Sequence, residues 1–394
     1  MTSPGKPPSP VGKPWITANQ VTVARLIPMP LLAWLLYKGA ESGYGGNWYM
    51  WSALIAGTLI GCTDWVDGML ARKYGPTVLG GLLDPIADKI FIAFAYVPFA
   101  DDSIALVPAW ACALMFMREF FITALRSIYE QRGLALKTSY IAKVKTWTQM
   151  QGIGVLLLFP LLADNRPALT WLLGSLTAAP LVVMAYFFVV KRKFWRGALV
   201  MSGSVAPILA LHLYGDIQLS MNWIMLAVVA ITWISGLDYI IVGWPKLRAH
   251  GDFNRADAVR LLGGLAMPCL LFAVLVETPA PSWPVFAILA LELAVGGLDN
   301  LMSHHKKATK SLAWGSRVLS ISGLLGLALL VPEYATYFAA AAAVVSVIGV
   351  GAEFWRGRDY FLDGRIRDKA LREQAAVDPR DYQLQDIPGD KPRE

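Results

Sequence analysis

The sequence predicts an all-α, polytopic membrane bundle of about twelve transmembrane helices, and three observations predict it. Of the 394 residues 56% are hydrophobic and only 16% charged, 15 are Trp, and mean hydropathy is +0.49, a balance that suits lipid rather than water around the chain. Apolar segments long enough to cross about 30 Å of hydrocarbon recur from end to end. The cations between them alternate, falling in every second loop, as the positive-inside rule requires.

Residues 1–14 are rich in Pro, Ser and Gly and lack an apolar core followed by a small-residue cleavage site, so they are expected to form a disordered cytoplasmic tail rather than a signal peptide. The expected helices are 19–38, 48–72, 81–100, 104–129, 141–163, 168–190, 197–214, 221–243, 256–275, 283–301, 313–331 and 334–352. With the N-terminus in the cytoplasm, Arg72 and Lys73 follow the second helix, Arg126 to Lys145 border the fourth and fifth, and Lys191, Arg192 and Lys193 follow the sixth. Lys246 and Arg248, Lys306, Lys307 and Lys310, and Arg356 and Arg358 complete the same side, leaving Lys38 and Arg166 on the other. Residues 365–394 read as a charged cytoplasmic tail. The formal charge of +7 is accounted for by these cations, which suit anionic lipid head groups, and no nucleic-acid partner is expected. Cys62, Cys112 and Cys269 lie far apart in apolar sequence, which disfavours a disulfide scaffold or zinc site.

The run DWVDGMLARKYGPTVLGGLLDPIADK carries the chemistry. Carboxylates at membrane depth are costly and persist where they face a bundle interior, a cavity or a cation. Asp64 and Asp67 are three apart and Asp84 and Asp88 four apart, so each pair shares a helix face, and a turn over Lys73 to Leu79 would bring the faces together. Gly68, Ala71, Gly80 and Gly81 remove bulk, permitting close helix approach and leaving room for a phosphate-bearing ligand. Four acids so close repel one another. Divalent cations are the natural compensation, and hard oxygen donors favour Mg²⁺ or Mn²⁺, plausibly two ions. A purely structural cluster paired with Arg72 and Lys73 is the alternative, which four acids at such depth make hard to sustain.

The spelled pattern, D-x-x-D-G-x-x-A-R, seven residues, then G-x-x-x-D-x-x-x-D, resembles the signature of the CDP-alcohol phosphatidyltransferase family. Its members are membrane enzymes that move a phosphatidyl group from a CDP-activated lipid to an alcohol and release CMP. The resemblance implies that Asp64, Asp67 and Asp84 hold the metals and that Asp88 completes the site and takes the proton from the attacking hydroxyl. It implies that Gly68, Ala71 and Arg72 line the CDP-lipid pocket, with Arg72 toward the diphosphate and Thr77 near the nucleotide. Asn19, Thr22 and Arg25, spaced N-x-x-T-x-x-R, resemble the entry to that pocket.

Three further passages resemble the branch that makes phosphatidylglycerophosphate: MREFFITALRS around Arg118, AKVKTWTQM around Lys143 and Lys145, and WISGLDYI around Asp238. They imply glycerol 3-phosphate as acceptor, with Arg118, Lys143 and Lys145 supplying cations for its phosphate. Ordinary positive-inside decoration is the competing account of the two lysines. Arg118, embedded in apolar sequence beside Glu119, needs a partner in any account. For Asp238 and Tyr239 a structural contact at a helix end is expected, and His304 and His305 suit a solvated basic patch better than a metal site.

The chain departs from that branch, whose members usually have about six membrane helices. The catalytic domain is expected over 15–245, with an inserted helix pair near 164–216, and 250–360 forms an additional four-helix unit. That unit reads as a decayed copy of the first four helices at an offset near 235. Asn19, Thr22 and Arg25 find Asn254, Asp257 and Arg260, and Asp64 finds Asp299. Asp67, Asp84 and Asp88 find Met302, Leu319 and Gly323, so the copy cannot bind two metals in the same manner. It would stand in for the second subunit of a homodimer, as an intramolecular pseudo-dimer.

The expected function is transfer of a phosphatidyl group from CDP-diacylglycerol to sn-glycerol 3-phosphate in a bacterial inner (cytoplasmic) membrane, at an active site facing the cytoplasm. Cardiolipin or phosphatidylinositol phosphate synthesis are the alternatives within the family, and a transporter the alternative outside it.

Overall fold

In the computed structural model, residues 15–43, 45–74, 78–134, 140–192, 194–304 and 311–362 are described. They are helical throughout, with no strand among them. The elements are α1 (Ala18–Leu26), α2 (Met29–Glu41), α3 (Trp48–Tyr74), α4 (Val78–Ala100), α5 (Ala109–Gln131), α6 (Tyr140–Leu161), α7 (Arg166–Lys191), α8 (Arg196–Tyr214), α9 (Ile217–His250), α10 (Arg255–Glu277), α11 (Trp283–His304), α12 (Ser311–Leu330) and α13 (Ala335–Leu362). The tails 1–14 and 365–394, Thr77 and His305 fall outside the described residues.

Every expected helix is present; α9 and α13 extend beyond the expected 243 and 352 to His250 and Leu362, and two other shifts have a local cause. The first is broken in two, because Pro28 and Pro30 remove backbone donors between α1 and α2. The fourth begins at Ala109 rather than 104. Ahead of it, Asp101 folds the connection by accepting from the Ser103 N–H at 3.0 Å and the Tyr37 hydroxyl at 2.8 Å, and Pro108 then serves as N-cap. Eight helical stretches among the described residues are long and apolar enough to cross a membrane, α1 and α2 counting together. The others differ for a reason. Helices α4, α5 and α6 carry the charged and amide side chains of the sites below, and the apolar part of α12 is short, at Trp314–Leu330.

The core is built around α4, α5, α9, α10 and α11. Helix α5 packs on α9, α10 and α11, and α11 also lies against α4 and α13. At Gly264 the absent side chain lets α10 meet the α5 backbone, since a Cβ there would stand 3.3 Å from the Phe120 carbonyl carbon. Arg132, the C-cap of α5, donates to Asp252 at 2.5 Å and to Asp257 at 2.6 Å, tying the head of α10 to α5. Its guanidinium holds the Asp252 carboxyl below the usual carboxylate range. The α7–α8 pair, the expected insertion, packs chiefly on itself, and α7 exposes Trp171, Val182, Tyr186 and Val189, as a lipid-facing helix does.

The C-terminal unit keeps one ion pair of the first. Arg260 meets Asp299, at the offset that relates them to Arg25 and Asp64, which are also paired. Met302, which the offset matches to Asp67, is buried with Leu298 against Leu82 and Ile86 of α4, forming an apolar docking face. The packing is not mirrored: among the described residues no comparable contact joins α12 or α13 to α1, α2 or α3. The intramolecular pairing is therefore one-sided rather than two-fold.

Candidate active site

Helix α1 gathers the acids. A capping box starts it, the Thr17 N–H donating to Gln20 Oε1 at 2.9 Å and the Gln20 N–H to Thr17 Oγ1 at 3.3 Å. Thr22 and Arg25, three apart on one face and both buried, then enter between α3 and α4. Helix α1 packs on both of those helices, which barely touch each other. This corrects the expectation that small residues let α3 and α4 pack directly: a wedge of chain brings their carboxylates together.

All four aspartates converge on that wedge. Arg25 Nη1 lies 2.9 Å from Asp64 Oδ1 and 3.2 Å from Asp88 Oδ1, and its Nη2 lies 3.8 Å from Asp67 Oδ2. Thr22 Oγ1 stands 2.9 Å from Asp67 Oδ2, 3.0 Å from Asp84 Oδ1 and 3.1 Å from the Ala18 carbonyl oxygen. A hydroxyl has one hydrogen and here faces three acceptors, so two of these contacts bring lone pairs together unless another positive charge enters. Four carboxylates against one guanidinium make the same demand.

A divalent cation fits the chemistry of this donor set, which is all anionic oxygen. The side chains are turned toward Thr22 and Arg25, and among the described residues no three His, Cys, Asp or Glu side chains already surround one point as a finished ion cage. Loading an ion thus requires carboxylates to swing away from their present partners. Pro85, between Asp84 and Asp88, leaves the Gly81 carbonyl without its helical donor.

Space lies beside the acids. Nothing stands within 4 Å of where a side chain at Gly81 would begin, and at Gly68 only the Arg72 guanidinium does, its Nη1 at 3.5 Å. Arg72 is exposed at the end of α3, with Ala71 half-buried beside it, and Asn19 is half-buried on α1. These positions border open volume and do not tighten a helix contact.

A second polar site begins one residue from Asp88. A cavity of about 610 Å³ is lined by Lys89, Arg118, Glu119, Arg126, Lys145 and Tyr239, with Asn300 on its wall. Lys89 donates to Thr123 Oγ1 at 2.9 Å, and Lys145 to Glu119 Oε1 at 2.6 Å. Arg118 reaches the same Glu119 oxygen at 3.4 Å and donates to Ser235 at 2.9 Å. Arg126 donates to the Tyr239 hydroxyl and lies 5.2 Å from the centre of its ring. Four cations thus face one carboxylate, a wall suited to a phosphate. Arg118, near the middle of α5 rather than at a helix end, and Lys145 both line this cavity, whereas Lys143 lies on α6 with its side chain, like that of Asp238, outside what is described.

Lys89 and Arg126 escaped the sequence reading, although signals existed. Lys89 is a charge in the apolar run IADKIFIAF, and Arg126 lies eight residues beyond Arg118, on the same face of α5.

Among known proteins, the CDP-alcohol phosphatidyltransferase family matches residues 15–190. A Bacillus subtilis protein named CDP-diacylglycerol–glycerol-3-phosphate 3-phosphatidyltransferase is 32% identical over 147 residues, 36% of this chain and 75% of the relative. A Mycobacterium tuberculosis protein named probable phosphatidylglycerophosphate synthase is 34% identical over 169 residues, 43% of this chain and 72% of its own length. A Cereibacter sphaeroides protein bearing the first name is 29% identical over 246 residues, 59% of this chain and 98% of its own. No solved structure matches.

Proposed function

The chain belongs to the CDP-alcohol phosphatidyltransferase family, and from that premise we propose that it joins CDP-diacylglycerol to sn-glycerol 3-phosphate, giving phosphatidylglycerophosphate and CMP. It is a membrane enzyme of phospholipid biosynthesis. The observation that carries the choice of acceptor is the cationic cavity that shares helix α4 with the acid cluster, since Lys89 on its wall directly follows Asp88 in sequence.

In this reading Asp64, Asp67, Asp84 and Asp88 would hold two Mg²⁺ or Mn²⁺ ions, which when bound neutralise the diphosphate and ease the departure of CMP. The chain's own residues do the rest. Gly68, Ala71 and Gly81 leave room for the nucleotide, and Arg72 meets the diphosphate. Arg118 and Lys145, joined by Lys89 and Arg126, anchor the acceptor's phosphate, so that the acceptor hydroxyl faces the lipid-bearing phosphorus. Asp88 accepts the hydroxyl proton as the new phosphorus–oxygen bond forms and the bond to CMP breaks. Thr22 and Arg25, at the expected entry to the nucleotide pocket, also hold the carboxylates in register.

In this reading the chain crosses the inner membrane about twelve times, and the alternation of Lys and Arg between its apolar segments puts the active site on the cytoplasmic side; eight helical stretches among the described residues are long and apolar enough to cross. Asp64, Asp67, Asp84 and Asp88 are concentrated on α3 and α4 around one wedge, which suits a single reaction site better than a carrier's path. The test is CMP release by the purified protein from CDP-diacylglycerol with glycerol 3-phosphate, glycerol, phosphatidylglycerol or inositol 1-phosphate. Rapid release with glycerol 3-phosphate alone is the expected result, and equal rates with unphosphorylated glycerol would overturn it.

A further inference from the structure

We propose that the C-terminal unit contributes an acceptor-binding residue, Asn300, so that the added third of the chain takes part in selecting the substrate. The proposal rests on the cationic cavity being the acceptor site, and it goes beyond that reading by drawing in a helix from outside the part of the chain that matches the family.

Helix α11 lies against α4 and α5, the two helices that supply Lys89, Arg118, Glu119 and Arg126 to the cavity. Asn300 is on its inward face and lines the same cavity. It is held there from α5, the Ser127 hydroxyl donating to Asn300 Oδ1 at 2.5 Å, while one turn further on Gln131 donates to Ser303 Oγ at 3.3 Å. Engaging the amide oxygen in this way leaves the amide NH₂ as the donor end of the side chain, and no hydrogen bond to that nitrogen is present among the described residues.

A neutral donor in a wall of cations has a definite use. Lys89, Arg118, Arg126 and Lys145 attract any phosphate, but point charges and forks of N–H groups do not distinguish what the phosphate is attached to. An amide fixed by its own oxygen supplies a donor with a set direction, suited to a hydroxyl or phosphate oxygen of a small polyol phosphate. It adds no further charge. Gly296, one turn before Asn300 on α11, stands where a Cβ would lie 3.0 Å from Thr123 Cγ2, so the small residue keeps α11 close enough for the amide to reach the cavity.

The test uses the full chain in detergent or nanodiscs and measures KM for glycerol 3-phosphate and for CDP-diacylglycerol separately. A lost hydrogen bond to a charged ligand should raise the glycerol 3-phosphate KM of Asn300→Leu about tenfold or more, and Asn300→Asp, which adds an anion to the wall, should raise it further. The CDP-diacylglycerol KM should stay within about twofold for both, as should both constants for Ser303→Ala, which removes the neighbouring inter-unit contact outside the cavity. Unchanged glycerol 3-phosphate KM in both Asn300 variants would overturn the proposal, as would equal rises for the two substrates or an equal rise in Ser303→Ala. If the wild type releases no CMP with glycerol 3-phosphate, the reaction assignment fails on its own. The proposal is then read from thermal stabilisation by added glycerol 3-phosphate: weaker stabilisation in Asn300→Leu than in wild type supports it, and equal stabilisation contradicts it.

Discussion

Replacing Arg25 by Met should make the stability of the protein depend on divalent cations far more than it does in the wild type. Arg25 is the one cation within 4 Å of Asp64, Asp67 and Asp88 among the described residues, and its side chain is 2% exposed. Breaking a buried ion pair by removing one partner costs about 3–5 kcal/mol. The cost here lies at the lower end, about 3 kcal/mol, because the Asp64 and Asp88 side chains are 54% and 36% exposed and water screens them, whereas Asp67 is 3% exposed. At about 2 °C per kcal/mol for a chain of this size, the unfolding midpoint should fall by about 6 °C in the presence of chelator. Manganese supplies the missing positive charge, so the gap between Arg25→Met and wild type should shrink when it is added. The assay is thermal unfolding in nanodiscs at fixed pH, with chelator and with Mn²⁺. A gap of the same size in both conditions would refute the reasoning, since it would mean that Arg25 and a metal do not answer the same charge.

Other outcomes follow from the same geometry. Asp88→Asn should remain folded and bind CDP-diacylglycerol while CMP release falls by about 10²–10⁴-fold, the range for loss of a general base; substantial retained turnover would remove Asp88 from that role. Glu119→Gln takes away the carboxylate that Lys145 and Arg118 share, so the variant should unfold at lower temperature and gain more stability from added glycerol 3-phosphate than the wild type does. Arg132→Ala cuts the links from α5 to Asp252 and Asp257 and should increase proteolytic cleavage between α9 and α10, read as fragment yield over time.

The sequence showed much of this because charge in apolar sequence is a strong signal. Asp64, Asp67, Asp84 and Asp88 stood out by residue type and spacing alone, and so did Arg118. The helices were legible for the same reason, although Pro28 splits the first, Pro108 delays the fourth, and α9 and α13 run on past their expected ends to His250 and Leu362. What could not be read was which element joins the acids. A period of three or four places side chains on a face, but only packing reveals that α1, and not an α3–α4 contact, occupies the space between them. The spacing of Thr22 and Arg25 gives no sign that they are also the hub of the carboxylates. Asn300 was invisible for a related reason. It lies beside Asp299, which the internal repeat marks as a vestige, and its place on the cavity wall depends on α11 docking against α4 and α5, a contact more than 170 residues away in sequence from Ser127. The offset matched Arg260 to Arg25 and Asp299 to Asp64 without showing that the members of each set pair, and the packing between the two units among the described residues is one-sided.

The central claim is that the aspartates of α3 and α4 hold divalent ions on which phosphatidyl transfer depends. Its most direct test is the initial rate of CMP release from CDP-diacylglycerol and glycerol 3-phosphate after chelation and again after Mg²⁺ or Mn²⁺ is restored. The account predicts no release in chelator and full recovery on adding either ion, with no recovery when Asp67 and Asp84 are both changed to Asn. An undiminished rate in chelator would contradict it.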